Sequence, residues 1–478
     1  MQISVSPMGL TARSRWLALA TLLTGNFVVI LDLFIVHVAV PDMRSELPAS
    51  EAQVQLVLAS YAASYGICLM NGARLGDMYG RRRTFLFGMA LFTGASLGCG
   101  LSPTAGVLIA ARIAQGMGAA LLMPQVLASV RLLFADTDRT RAFAIMGAVQ
   151  GMAASVSQLL GGWLIEHGPG DLGWRTVFLI NLPIGALALI VGRRMLPEST
   201  LMRARIDVAG SLAGAAATAL MLVPVMFGRD QGWPWWSWCM PLLSVAVWAA
   251  FLWHEHRLAK SGGLPMFDVA LLHNRPFLAG AFGMFFFYSA ISSFFLSLTM
   301  LLQGGLHLSP LMAGLIFTPS AVAFFAGSLA GPRLQNYMGE RTLFAGLCIF
   351  GLGLALAIWV GWTSPDSLAW LVVSLVLNGF GQGMAIPAAL GILLGRVTDT
   401  QAGVASGLVS TLQALGNSAG ITIVGAILFT GLAHLPGAES SSHGIALAQA
   451  TSYNILATLF SLVLFNCTLN SKRERRDG

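Results

Sequence analysis

Asp32 and Arg112 are the two residues whose charge and position promise chemistry. Asp32 is the one acid well inside an apolar run, residues 16–40, and Arg112 is the one base inside another, residues 104–130. An ionisable group at such depth costs roughly 2.5–3.5 kcal/mol on insertion scales and is by default a functional residue. Asp32 lies nine residues before Pro41, at the outer end of its run, and Arg112 nine residues after Pro103, at the outer end of the other. At 1.5 Å per helical residue both sit about 13 Å below one surface. An acid and a base at one depth can pair directly or through water. Burial favours the neutral acid and a guanidinium favours the carboxylate, so a small rearrangement can load or release a proton. The alternative is a static pair that only fixes helix packing. His37, one turn from Asp32, can relay protons or serve as a neutral hydrogen-bonding group. Phe34 and Gln115 flank the pair and are candidates for relay or substrate contact.

The elements that must position these residues are apolar helices. Of 478 residues 56% are hydrophobic and 10% charged, against about 25% charged in a soluble domain. Runs long enough to cross a bilayer fall near 16–40, 53–75, 84–102, 104–130, 142–165, 175–196, 207–228, 236–256, 276–302, 310–331, 341–362, 367–394, 402–432 and 446–470. The expectation is an all-α polytopic membrane protein of fourteen spans. With the N-terminus inside, the outer segments hold only Arg44, Arg175 and Arg229 of the 27 bases. That asymmetry places both termini in the cytoplasm. It also explains the net charge of +7 by topology, with a bilayer and no nucleic acid as partner. The five cysteines show no CxxC spacing and read as packing residues. No cleavable signal peptide is evident.

An internal repeat divides the chain. Gly72, Leu75, Asp77 and Gly80 recur as Gly331, Leu334, Asn336 and Gly339, 259 residues later; Gly116, Gly118 and Pro124 recur as Gly379, Gly381 and Pro387, 263 later. Two related six-helix halves are therefore expected at 16–197 and 276–470. Two inserted helices occupy 207–256 and a cytoplasmic loop 257–275. Tails at 1–15 and 471–478 complete the chain. Halves of this kind enclose a mid-membrane site in alternating-access transporters.

The loop Gly72–Arg83 resembles the signature loop of the major facilitator superfamily, matching at Leu75, Asp77, Gly80, Arg81 and Arg82, with the leading glycine displaced by one. The resemblance implies a cytoplasmic gate at Asp77, Gly80, Arg81 and Arg82, whose acid can pair across the halves or sit at a helix N-terminus. Arg112, Gln115, Gly116 and Gly118 match that superfamily's fourth-span pattern. The stretch Leu31-Asp32-Leu-Phe34-Ile-Val-His37-Val-Ala-Val-Pro41 is similar to the first-span signature of the fourteen-span drug:proton antiporters. Phe34 stands where those carry Thr, and His37 where they carry Asn. Trp174 to Gly185, Asp207 with Gly210, and Asn274 to Phe277 extend the similarity along nearly the whole chain.

One stretch departs. The span-five antiporter signature ends Gly-Pro-x-x-Gly-Gly, and here Ser157-Gln158-Leu-Leu-Gly161-Gly162 keeps only the packing glycines Gly161 and Gly162. Candidate cavity residues in the second half are Phe287, Tyr288, Asn378, Gln382, Gln413 and Asn417. That half places no acid within spans nine to fourteen, which suits neutral, zwitterionic or monocationic compounds. P-loop and HExxH patterns are absent from the sequence, and an enzyme is not expected. The resemblance implies a proton-coupled exporter of small amphipathic compounds in the inner (plasma) membrane. It would be a monomer with no cofactor beyond the coupling proton. A proton-coupled importer or uniporter of a metabolite, and a non-transporting membrane sensor or scaffold, are the alternatives.

Overall fold

A computed structural model describes residues 11–134, 136–170, 172–198, 208–228, 231–260, 271, 274–397, 402–434 and 440–477. Among these the chain is helical throughout, with no strand. The long helices are α1 (Ala12–Ile35), α2 (Glu51–Tyr79), α3 (Arg81–Gly100), α4 (Ala105–Leu133), α5 (Asp136–His167), α6 (Asn181–Met195), α7 (Val208–Phe227), α8 (Trp235–Lys260), α9 (Arg275–Thr299), α10 (Pro310–Met338), α11 (Arg341–Thr363), α12 (Leu368–Leu394), α13 (Ala402–His434) and α14 (Ser440–Asp477). They coincide with the fourteen apolar runs. Among the described residues, however, eleven segments are long and apolar enough to cross a membrane. The segments built on α3, α5 and α7 fall short. Charged first turns dilute α3 (Arg81 to Arg83) and α5 (Asp136 to Arg141), and α7 keeps a shorter apolar run, Leu212–Pro224.

Prolines and caps set the breaks that matter. Pro41 has no N–H, and its ring crowds the carbonyl four residues back; α1 accordingly tightens into a 3-10 turn, Val36–Ala39, before a short helix Val40–Glu46. Pro183 does the same upstream of α6, which follows two short turns, Gly173–Arg175 and Thr176–Leu179. Ser50 and Gln53 form a reciprocal capping box on α2, satisfying two backbone donors at its start. Gly80 and Gly339 end α2 and α10 with φ of +96° and +59°, a backbone conformation open to glycine.

Helices α1 to α6 pack on one another, as do α9 to α14. The two groups meet along two seams, α5 on α10 and α2 on α13. Glycines let the backbones approach, as in membrane helix pairs generally. A Cβ at Gly162 would lie 2.7 Å from the Leu311 Cα, and one at Gly66 would lie 2.9 Å from the Ala414 Cβ. The pair α7–α8 sits against the α2–α13 seam through α7. Its outer surface is apolar, with Leu212 and Leu242 66% and 72% exposed, as a lipid-facing surface requires.

Candidate functional site: a buried carboxylate cage in the first half

Asp32 and Arg112 are fully buried and paired, one Arg112 Nη1 hydrogen donating to Asp32 Oδ2. The depth match seen in the sequence thus becomes contact. The other carboxylate oxygen, Oδ1, accepts from Gln115 Nε2 at 2.7 Å and from Asn181 Nδ2 at 2.9 Å. Both amides also donate to Ser96 Oγ, at 2.7 and 3.1 Å. Arg112 donates to Gln115 Oε1 at 2.7 Å and, through Nε, to the Val57 carbonyl at 3.1 Å. Its guanidinium lies over the Tyr61 ring, 4.3 Å from the centroid, a cation–π contact. Tyr61 is itself tied to the Val29 carbonyl of α1 at 3.0 Å.

Five helices build this cage, and each arrives for a local reason. Gly116 lets α4 press against Tyr61 and Ser64 of α2, which carries Arg112 to Val57 and Tyr61. Gln115 follows Arg112 by three residues and so shares its helix face. The break above Pro183 makes Asn181 the first residue of α6 and brings its amide to Asp32. Ser96 comes from α3. Every contact of Asp32 is one in which the carboxylate accepts, so the cage suits its ionised form. Isolated, a buried ion pair barely repays its desolvation; the added amide donors and the aromatic face are what make this one tenable.

The other expected residues divide. Gln115 belongs to the cage. His37 does not touch it: it lies in the 3-10 turn, 1% exposed, with neither ring nitrogen hydrogen-bonded. Phe34 is half-buried and its ring centroid is 5.7 Å from that of Phe295 on α9. Asp77 pairs with Arg81 at 3.3 Å, within its own loop and not across the halves. The backbone N–H of Arg82 donates to Glu198 at 3.3 Å, and its side chain to the Arg193 carbonyl. Gly80 sits directly against the Glu198 carboxylate, and its φ of +96° disfavours any other residue. The loop is thus fastened to the segment after α6, in the same half. Gly161 packs on Ile35 of α1 and Val38 of the 3-10 turn after it, and Gly162 on Pro310 and Leu311 of α10.

In the second half, Phe287 is a core residue, not a cavity wall. It is fully buried with its ring 5.1 Å from that of Phe350. Gln382 donates to Asn378, and Asn417 accepts from Ser292 at 2.6 Å, so these amides are engaged in neutral pairs. Tyr288 and Gln413 are half-buried. Sequence reasoning missed Asn181, Ser96, Tyr61 and Glu198 as partners. A lone amide or hydroxyl in an apolar run was the available signal, and Asn181 had entered only as part of a family stretch.

The caged carboxylate lies within the first of two packed groups of helices. The chain belongs to the Major Facilitator Superfamily, whose family profile it matches over residues 22–421. It is 33% identical to the "Probable actinorhodin transporter" of Streptomyces coelicolor over 87% of this chain and 72% of that protein. It is likewise 33% identical to "Multidrug resistance protein Stp" of Mycobacterium tuberculosis, over 87% of this chain and 76% of the other. Among solved structures it resembles the peptide transporter POT in complex with sulfate, with a TM-score of 0.66, 15% identity and 94% of each chain covered. The chain is therefore a multi-pass membrane transporter with small-molecule substrates, and not an enzyme.

Proposed function

We propose that the protein is a proton-coupled exporter of small amphipathic compounds, working by alternating access between the halves 16–197 and 276–470. The Asp32 cage carries this reading. Asp32 is an acid with a buried cationic partner, in the last turn of α1, and a proton on it would remove the charge that holds Arg112. The pair can thus exist closed, with Asp32 ionised, or loosened, with Asp32 neutral and Arg112 held by Gln115, Val57 and Tyr61. Rocking the halves would expose Asp32 to one side and then the other. Protons entering under the membrane potential supply about 2.3 kcal/mol per charge per 100 mV, plus the pH gradient. Relatives named for antibiotic transport and multidrug resistance support export. The distribution of arginines supports cytoplasmic termini, fourteen crossings, a plasma-membrane setting and a gate at Asp77, Gly80, Arg81 and Arg82. We take the working unit to be a monomer without cofactor.

A second reading, proton-coupled import, draws on one observation. Ser157-Gln158 stands where antiporters of this type carry Gly-Pro. Reconstitution into proteoliposomes with a dye and drug panel separates the two. A substrate-evoked proton leak opposite to substrate movement establishes export by antiport. A leak in the same direction establishes symport and overturns the proposal.

A further inference from the structure

The outer end of α1 carries a cluster that the Asp32 cage leaves unused. Two glutamine amides reach the carbonyls around its 3-10 turn, one from each half. Gln158 on α5 donates to the Phe34 carbonyl at 2.8 Å. Gln303, in a π-helical turn (Met300–Gly305) that follows α9, donates to the Val38 carbonyl at 3.0 Å. His37 lies in the chain between those two carbonyls, 1% exposed, with both Nδ1 and Nε2 unpartnered. Gln158 Oε1 is also buried without a partner. A buried imidazole ordinarily bonds through at least one nitrogen, so a packing role alone leaves His37 unexplained. An aromatic wall stands beside it. The Phe34 ring centroid is 6.5 Å from that of His37 and 5.7 Å from that of Phe295, and Phe295 stacks on Phe317 at 5.2 Å. Phe34 and Phe295 are only half-buried, and they belong to opposite halves.

We propose that this cluster is a substrate subsite for planar aromatic compounds that carry a hydroxyl or carbonyl on the ring edge. The ring would lie on Phe34 and Phe295, which Phe317 backs from the core, where aromatic pairs prefer offset or edge contacts. An uncharged imidazole offers one donor and one acceptor. An edge hydroxyl therefore finds an acceptor in His37 or in Gln158 Oε1, and an edge carbonyl finds the imidazole N–H. A site that hydrogen-bonds a substrate hydroxyl rejects the analogue lacking it far more strongly than an apolar site rejects an extra methyl. Because the wall is shared between halves, a ligand here bridges the parts that rock against each other. The subsite rests on the transporter reading above, and its test is kept separate from export.

The test uses the purified protein in lipid nanodiscs and two probes, 2-naphthol and its methyl ether, 2-methoxynaphthalene, with empty nanodiscs subtracted. The native protein is expected to bind 2-naphthol at least tenfold more tightly than the ether. His37→Leu should abolish that preference by weakening 2-naphthol, and His37→Gln, which restores a donor and an acceptor, should recover part of it. Phe295→Leu should weaken both probes alike, and it serves as the reporter if His37→Leu does not fold. Equal affinity for the two probes, no binding of either, or a preference that survives His37→Leu overturns the subsite. Dye extrusion by the native protein is measured independently. Loss of extrusion with the preference intact overturns the exporter reading and leaves the subsite standing.

Discussion

Gly118 of α4 presses on the backbone of Phe92 in α3, and Gly381 of α12 presses on the backbone of Phe350 in α11. The two contacts recur 263 residues apart on one side and 258 on the other. Gly88 on the Gly118 carbonyl is repeated as Gly346 on the Gly381 carbonyl. The halves thus share one helix-packing scheme. Their chemistry differs at corresponding positions. Arg112 has Leu375 as its counterpart and Gln115 has Asn378. The first half closes a charged cage around Asp32. The second buries neutral pairs, Ser292 with Asn417, Ser293 with Asn454 at 2.7 Å, and Gln382 with Asn378. Small residues set the packing and can be duplicated unchanged. The charge that a proton can cancel needs to be present once, and here it is confined to one half.

The largest effect should come from breaking that asymmetry at Arg112. Arg112→Leu installs the residue that the second half carries at the corresponding position, and it strands an ionised Asp32 in an apolar interior. Removing one partner of a buried pair typically costs about 3–5 kcal/mol, read as a loss of stability in denaturant titration of the purified protein. Adding Asp32→Asn to Arg112→Leu should recover at least half of that loss. If Arg112→Leu is harmless, the cage is not an ionic unit.

The shared packing is tested next. Gly118→Ala and Gly381→Ala each place a methyl 2.9 Å or less from a backbone atom of the facing phenylalanine. Overpacking of this kind costs about 1–3 kcal/mol, and the two variants should match within about 1 kcal/mol. A large difference would show that the halves pack by different rules. The smallest effect belongs to the neutral pairs. Asn417→Ala should cost about 1 kcal/mol, the net worth of an ordinary hydrogen bond, and leave the pH dependence of transport unmoved. A shifted pH profile in that variant would extend the proton path into the second half.

The pairing of Asp32 with Arg112 was legible because charges are so scarce in the apolar runs that depth alone selects the partner. The repeat was legible because glycine spacing survives duplication. Asn181 was not, since its approach depends on the break above Pro183 and a single amide in an apolar run has many readings. Glu198 was hidden for another reason: it lies past the end of α6, where sequence gives no sign that the chain folds back under Gly80. Phe287 was misjudged because aromatic content does not reveal which helix face meets the core. Phe287, Ile291, Phe294 and Leu298 form one buried face of α9 at helical spacing. Tyr288, one residue on, is half-buried and faces elsewhere. Fourteen helices match the fourteen apolar runs, and eleven segments reach spanning length and hydropathy among the described residues, because charged first turns shorten the apolar run of α3 and α5.

The claim at the centre is that Asp32 carries the coupling proton, and Asp32→Asn in proteoliposomes addresses it directly. With a dye inside and an imposed pH gradient, the native protein should move dye and protons in opposite directions. Asp32→Asn keeps the shape and one of the two acceptor oxygens but cannot ionise. It should lose gradient-driven dye accumulation by two orders of magnitude or more. Residual dye exchange down its own gradient should be independent of pH. Accumulation by Asp32→Asn with an undiminished proton flux would contradict the account.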